Sequence, residues 1–168
     1  MIIPIRIWPD SVLLKAAEPV SKFNSDLASL AGNMLETMYA APGRGLAAPQ
    51  VGVSKRLFVM DTTWKEGAKA PRVLINPEII EVSSDEEINA EGCLSLPDFT
   101  VEVKRPSAVT MTWQDIDGQR HIAAFAGFDA ICAQHELDHL DGILTIDRIA
   151  ADARADVAHF LTALKAPI

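Results

Sequence analysis

The sequence QHELDHLDG, at residues 134–142, contains an HExxH motif formed by His135, Glu136 and His139. On a helix, two histidines four residues apart lie on the same face, separated along the axis by about one turn, or roughly 5.4 Å. That spacing lets both imidazoles bind one metal ion, with Glu136 beside it as a general base. The structural alternative is a pair of core histidines satisfied by internal hydrogen bonds. A metal site therefore also requires a third ligand and a polarising group from elsewhere in the chain.

Hydrophobic periodicity around this motif predicts an α+β fold rather than alternating βαβ units. The predicted helices are a first one capped by Asn24 or Ser25 and ending before Pro42, the motif helix from Gly127 through Leu140 with Gly142 as its stop, and an amphipathic last helix at residues 151–164. The predicted strands are residues 56–60, 72–75, 108–113 and 120–125, the last two joined in a hairpin, whereas the charged residues 83–87 form a surface turn. We expect antiparallel β-sheets packed around a central HExxH helix, with N-terminal and C-terminal helices.

Length and composition predict one globular domain over residues 1–168. The chain is 49% hydrophobic and 23% charged, which is typical of a protein that buries a core. A net charge of −8 argues against nucleic acid or an anionic membrane as the main partner. No apolar run approaches the roughly 18 residues of a membrane span, and the N-terminus lacks the features of a signal peptide. The two cysteines, Cys93 and Cys132, are expected to stay reduced, so the expected compartment is the cytoplasm.

The third ligands of known HExxH metallopeptidases are missing from this chain. A catalytic zinc-type site needs three protein ligands and an open position for water. In the pattern HExxHxxGxxH the last position would fall on Thr145, and no glutamate follows Glu136. The remaining histidines, His121 and His159, lie in no suggestive context. The missing ligand must therefore be sought among the thiols.

Two cysteines are candidates for the third ligand. Cys132 precedes His139 by two helical turns, or roughly 10 Å, so its short side chain reaches the histidine pair poorly and is better explained as a core residue. Cys93 lies in EGCLSLP, residues 91–97, where Gly92 permits an unusual backbone and a loop could approach the helix. We favour Cys93 as the ligand, with an inert buried thiol as the alternative.

A site with one thiolate and two imidazoles suits zinc or ferrous iron and acidifies a bound water, whose proton Glu136 would accept. Hydrolysis also needs a group that stabilises the developing oxyanion. The segment GRGLAAPQ, residues 43–50, is suited to this role because its small residues let the backbone approach a site closely and Gln50 offers an amide donor. A plain tight turn followed by a strand is the alternative for this segment.

Together GRGLAAPQ, EGCLS and QHELDHLDG, in this order, resemble the three signature segments of the peptide deformylase family. Further matches extend the resemblance over nearly the whole chain, to about Asp147. The family removes the N-terminal formyl group from nascent polypeptides, usually with Fe(II) in bacterial members. The resemblance thus implies an N-formylated nascent peptide as substrate and Fe(II) as cofactor, with Zn(II) or Ni(II) permitted by the same ligands.

The resemblance also implies a role for each matching residue. For the chemistry, it assigns metal binding to Cys93, His135 and His139, acid–base catalysis to Glu136, and polarisation of the formyl oxygen to Gln50 and the backbone N–H of Leu94. For the substrate, it assigns strand-like pairing to Gly45 and Gly92 and the pocket for the first side chain to Phe128 and Ile131. It also implies that Glu91 and Arg105 form an ion pair that supports the cysteine segment.

The chain departs from the family pattern where substrate and ribosome would be contacted. Arg44 stands where the family usually has an aliphatic residue against the methionine side chain; we expect its stem to pack there while the guanidinium reaches solvent. Thr100 replaces an arginine that many members carry at the pocket rim. Residues 151–168 hold two basic and two acidic residues, so a basic ribosome-docking tail is missing and ribosome contact is not expected.

We therefore predict a peptide deformylase. The departures leave two alternatives open, a deformylase-like amidase with shifted N-acyl or first-residue specificity and a noncatalytic peptide-binding module. The intact Glu136 argues against the second of these.

Overall fold

Two antiparallel sheets and four α-helices make up residues 1–165, the part of the chain that the computed structural model describes. The strands are β1 (Gly45–Ala47), β2 (Leu57–Met60), β3 (Arg72–Val82), β4 (Glu86–Cys93), β5 (Leu96–Pro106), β6 (Ala108–Gln114) and β7 (Arg120–Ala126), and the helices are α1 (Ser25–Ala40), α2 (Gly127–Leu140), α3 (Ala151–Asp156) and α4 (Ala158–Lys165). The large sheet has the strand order β1-β2-β3-β6-β7, and β4 and β5 form the small one. The predicted α+β class is confirmed.

Helix α2, which carries the HExxH motif, is buried on all sides from residue 132 to residue 140. Its apolar side chains form one core with the large sheet, comprising Ala130, Ala133, Leu137 and Leu140 with Phe58, Met60, Leu74, Met111 and Phe125. Its polar side chains contact the small sheet, where Gln134 Nε2 donates to the Pro106 carbonyl over 3.0 Å. A helix with polar residues in the interior must satisfy them by hydrogen bonds. The central position predicted for this helix is confirmed.

The ends of α1 and α2 follow their local sequence signals. The Asn24 side chain accepts a hydrogen bond of 3.1 Å from the backbone N–H of Leu27 and so caps α1. Beyond α2, Gly142 has a φ of +74°, and a Cβ added there would lie 2.9 Å from the backbone of Leu14 and Lys15. Glycine is therefore required both by the turn and by the close approach of the chain.

Strand β3 is longer than predicted. The expected end at Ile75 is wrong, because the register shifts between Ile75 and Glu78 and the strand then continues to Val82. Asn76 adopts a φ of +51° at this irregularity, and its side chain bonds both the N–H and the carbonyl of Val20 over 2.8 Å. A bulge of this kind accommodates a proline that would otherwise end a strand.

The hairpin of β4 and β5 was not foreseen, and the surface turn predicted at residues 83–87 is wrong from Glu86 onward. Many side chains of β4 are exposed and polar, so the hydrophobic alternation that identifies a strand is weak there. The hairpin packs instead through Leu96, Val101 and Val103, which join a core with Leu144 and Ile146.

The last helix is not continuous as expected. It breaks at Val157 into α3 and α4, and Val157 and Leu161 are the residues that bury against the core of β5. Residues 166–168 lie outside the described residues. Among residues 1–165, no helix combines the length and the apolar character needed to cross a bilayer.

Candidate active site

Cys93, His135 and His139 meet between the small sheet and α2. Their potential ligand atoms all lie within 4.8 Å of one another, and Cys93 Sγ is 3.4 Å from His139 Nε2. A tetrahedral ion with metal–sulfur and metal–nitrogen bonds of about 2.3 and 2.1 Å would hold such atoms about 3.5 Å apart. Within residues 1–165 this is the one group of three histidine, cysteine or acidic side chains close enough to share an ion, and we call it the ligand group.

The candidate sulfur ligand lies at the end of a strand rather than in a loop. Cys93 is the last residue of β4 and pairs with Leu96 across the tight turn into β5. Cys132 lies outside the ligand group, and its thiol is 3.5 Å from the Arg44 carbonyl. Burial raises the pKa of the Cys132 thiol well above its usual value, which keeps it neutral.

His135 is oriented by Glu91, the acidic residue of the predicted ion pair. His135 Nδ1 lies 3.0 Å from Glu91 Oε1, and Arg105 donates to the same carboxylate through Nε and Nη2 over 2.7 and 2.9 Å. Burial alone would raise the pKa of Glu91, but the hydrogen bonds from His135 and Arg105 lower it overall. The ionised carboxylate holds a proton on His135 Nδ1, so Nε2 is the nitrogen that would bind a metal once it has lost its own proton.

The two imidazoles differ in their electrostatic surroundings. Burial lowers the pKa of His139 well below its usual value, so this ring is neutral and offers a lone pair. Burial also acts to lower the pKa of His135, yet its hydrogen bonds to Cys93 and Glu91 outweigh burial and raise it well above the usual value. The groups around His135 therefore stabilise a positive charge on this ring.

Asp138 and Arg148 belong to the same polar network but were not predicted. Asp138 accepts hydrogen bonds from Arg105 Nη1 over 2.9 Å and from Arg148 Nε and Nη2 over 3.0 and 2.6 Å. Arg105 thus joins Glu91 on β4 to Asp138 on α2. The one signal in the sequence was an aspartate between the two motif histidines, which an exposed helix face would equally explain.

Glu136 has one carboxylate oxygen without a partner. Its Oε1 is 3.9 Å from His135 Nε2, whereas the buried Oε2 has no hydrogen-bond partner within residues 1–165. Burial raises the pKa of Glu136 to about 7. A carboxyl group of this kind beside three metal-ligand atoms can exchange a proton with a bound water near neutral pH.

The side-chain amide of Gln50 points its nitrogen at the ligand group. Gln50 Oε1 accepts a hydrogen bond of 2.9 Å from the backbone N–H of Ala47, while Nε2 donates to Ser95 Oγ over 3.1 Å and lies 3.8 Å from Cys93 Sγ. Gln50 and Ser95 are both fully buried. Ser95 was not predicted, since a serine in a turn has no sequence signal that marks it as the partner of a distant glutamine.

A cleft of about 850 Å³ leads to these side chains. The predicted substrate-binding residues Arg44, Gly45, Gly92, Phe128 and Ile131 all line it, together with Leu94 and Thr100. Residues of β1, β4, β5 and α2 line it, and β1 and β4 are edge strands of the large and the small sheet.

Gly45 turns its backbone toward this cleft. The Arg44 carbonyl accepts a hydrogen bond of 2.9 Å from the Asp61 N–H. Because hydrogen-bonded and non-hydrogen-bonded positions alternate along an antiparallel pair, Gly45 directs its own N–H and carbonyl away from β2. A Cβ added to Gly45 would lie 2.7 Å from Glu136 Oε1 and 2.8 Å from Cys132 Sγ. Glycine at this position is therefore what allows β1 to approach α2 so closely.

The Arg44 guanidinium reaches solvent only in part, since its side chain is 28% exposed. It donates to Glu66 Oε1 over 2.6 Å and to the Thr62 carbonyl over 3.2 Å, and its Cζ lies 5.1 Å from the centre of the Phe128 ring. Thr62 also donates to the Asp129 carboxylate in the first turn of α2. These contacts with the loop after β2 hold the guanidinium against the protein.

This chain is similar to known deformylases over most of its length. The family model described as polypeptide deformylase matches residues 2–155. A peptide deformylase of Thermodesulfovibrio yellowstonii is 51% identical over 149 residues, which are 89% of this chain and 90% of that protein. One of Rhizobium meliloti is 47% identical over 147 residues, covering 88% and 84%. The crystal structure of peptide deformylase from Thermotoga maritima superposes with a TM-score of 0.84 at 44% identity, covering 89% of this chain and 99% of that chain.

Proposed function

This chain belongs to the peptide deformylase family, metal-dependent hydrolases that remove the N-formyl group from nascent peptides, and we propose that Cys93, His135, His139, Glu136 and Gln50 perform that reaction here. The observation that carries this assignment is the set of three ligand atoms within 4.8 Å of one another, next to the unpartnered oxygen of Glu136. The reaction consumes water and converts the formamide into formate and a free amine.

We propose that Cys93, His135 and His139 hold a divalent metal, Fe(II) in the working enzyme. One thiolate and two imidazoles also suit Zn(II) and Ni(II), so the same three ligands would bind any of these ions. The bound ion would acidify a water and polarise the formyl oxygen. The free thiols of Cys93 and Cys132 favour a reducing compartment, and we propose the cytoplasm.

The substrate peptide would bind as an extended strand between β1 and β4. Gly45 offers a backbone N–H and carbonyl on the open edge of β1, and Gly92 on β4 lines the same cleft. Strand addition of this kind uses main-chain hydrogen bonds that every nascent chain can make. The first side chain would then extend along α2 past Ile131 toward Phe128.

Gln50 and Glu136 would act on opposite sides of the formyl group. The Gln50 amide, held by Ala47, and the backbone N–H of Leu94 would donate to the carbonyl oxygen as negative charge develops on it. Glu136 would accept the proton of the attacking water and deliver it to the amide nitrogen as the C–N bond breaks. The proton that Glu136 takes from water thereby ends on the product amine, and the remaining hydroxyl group ends on the formyl carbon as formic acid.

The test is formate release from formyl-Met-Ala-Ser under anaerobic conditions, with metal content measured on the same sample. Glu136→Gln keeps the shape of the side chain but removes the base, so we expect the rate to fall by about 10²- to 10⁴-fold while the metal is retained. Glu81→Gln, which changes an exposed carboxylate on β3, is the matched control.

Two results would contradict the assignment. Equal rates for the wild type and Glu136→Gln would exclude Glu136 as the base. Equal turnover of formyl-Met-Ala-Ser and acetyl-Met-Ala-Ser by the wild type would favour a deformylase-like amidase with broader N-acyl specificity.

A further inference from the structure

Arg44, which lines the cleft, forms an ion pair with Glu66. Arg44 Nη2 and Glu66 Oε1 are 2.6 Å apart, and the guanidinium lies over the Phe128 ring at 5.1 Å. The Arg44 side chain is only 28% exposed, so the guanidinium is held against the protein rather than free in solvent. Phe128 also lines the cleft and is 48% exposed, so its ring is available for contact.

The loop that carries Glu66, residues 61–71 between β2 and β3, is itself well anchored. The buried Asp61 accepts hydrogen bonds from the Tyr39 hydroxyl over 2.6 Å and from the Ala70 N–H over 2.8 Å. Trp64 Nε1 donates to the Gly43 carbonyl over 2.9 Å, next to Arg44 in the chain. Glu66 therefore presents its carboxylate from a loop that is fixed to the same segment of backbone as the arginine.

These contacts bear on the first side chain of the substrate. Arg44, Phe128 and Ile131 line the same cleft as His135. A first side chain that extends from the ligand group along α2 would meet the guanidinium and the Phe128 ring at its far end. A free arginine would swing out of the way of a longer side chain, whereas an arginine held by Glu66 and the Thr62 carbonyl would not.

We propose that Arg44 limits the depth of the first-side-chain subsite and that Glu66 is the positioning residue that holds it there. The inference rests on the proposed function, because it concerns how the same site selects its substrate. It concerns specificity rather than stability, because an ion pair with one exposed partner contributes little to folding. The favoured substrates are formyl peptides whose first side chain is no longer than that of methionine.

Two substrates that differ by one methylene test this depth. They are formyl-Met-Ala-Ser and formyl-ethionine-Ala-Ser, in which an S-ethyl group replaces S-methyl. A subsite of fixed depth should discriminate between them by about tenfold or more in kcat/KM, since one methylene typically changes this ratio by 10- to 200-fold. We expect Arg44→Ala and Glu66→Ala to reduce the ratio below about threefold, mainly through KM for the longer substrate.

Matched variants separate positioning from a structural role. Glu66→Gln keeps an oxygen that can accept from Arg44, so it should recover most of the discrimination. Glu81→Ala removes an exposed carboxylate at the far end of β3 and should leave the ratio unchanged. Thermal unfolding of each variant shows whether the chain is folded.

The outcomes distinguish this inference from the proposed function. No formate from formyl-Met-Ala-Ser with the wild type would overturn the proposed function. An active wild type that accepts both substrates equally would overturn the inference alone. So would folded Arg44→Ala and Glu66→Ala variants that keep the wild-type ratio, even if their rates fall on both substrates.

Discussion

Among the glycines that line the active site, Gly45 has the least room for a side chain. Its Cα approaches α2 so closely that a methyl group would contact both the proposed base, Glu136, and the Cys132 thiol. Its backbone meanwhile faces the cleft, where the substrate would pair. One residue without a side chain thus serves both the chemistry and the binding of the peptide.

Replacing Gly45 by alanine should impair catalysis more than folding. Because the added Cβ would lie 2.7 Å from Glu136 Oε1, the carboxylate must shift, and we expect kcat/KM on formyl-Met-Ala-Ser to fall by about 10²-fold, as 1 Å misplacements do. Gly32→Ala is the control, since no atom lies within 4 Å of a Cβ there and alanine favours the helix interior. Unimpaired activity of Gly45→Ala would contradict the steric argument.

The two cysteines should differ in their effect on metal content. Cys93→Ala removes one of three ligand atoms and should abolish stoichiometric metal in the purified protein. Cys132→Ala removes a buried thiol outside the ligand group and should leave the metal in place. Elemental analysis of both variants measures this, and loss of metal from Cys132→Ala alone would reverse the ligand assignment.

Among the helices and strands, the contact between the small sheet and α2 depends on charge. Arg105 on β5 bonds Glu91 on β4 and Asp138 on α2, and all three side chains are buried. The same carboxylate of Glu91 orients His135. The network therefore fixes strand β4, which ends in Cys93, relative to the helix that carries the other two candidate ligands.

Arg105→Met should destabilise the fold substantially. The variant leaves the two buried carboxylates without their shared cation, and breaking a buried pair in this way costs about 3–5 kcal/mol. Arg72→Met is the control, because the Arg72 pair with Asp129 is 3.5 Å long and partly exposed, so its loss should cost at most about 1 kcal/mol. Urea unfolding measures the free energy of unfolding of both variants. Equal decreases would show that the buried Arg105 network stabilises the fold no more than the Arg72 pair does.

For the molecule as a whole, the ligand group joins parts of the chain that are distant in sequence. Cys93 comes from the small sheet, whereas His135 and His139 come from the helix that packs on the large one. A metal bound by all three would therefore link the two sheets through α2. Binding to the folded state alone stabilises it by mass action.

Removal of the metal should lower the melting temperature of the protein. A metal present at about 100 times its Kd stabilises the fold by about 2.7 kcal/mol, which chelation would remove and added metal would restore. Calorimetry with and without chelator measures the change. The Cys93→Ala variant is the control, and a chelator effect of equal size in that variant would contradict the proposed linkage.

The chemistry of this protein could be predicted from sequence because its signals are local. HExxH has a helical spacing, Gln50 follows a run of small residues, and Cys93 was the better of two thiols once Thr145 ruled out a third histidine. The helix caps and the hairpin of β6 and β7 are likewise encoded by neighbouring residues.

The remaining features depend on contacts between residues far apart in the chain. Asp138 meets Arg105 across 33 positions, Gln50 meets Ser95 across 45, and Arg44 meets Glu66 across 22. Nothing in the local pattern distinguishes a buried aspartate from an exposed one, because burial of α2 on both sides is a property of the packed sheets. The partners of these polar side chains are therefore set by the tertiary fold, because burying a polar group without a hydrogen bond costs free energy.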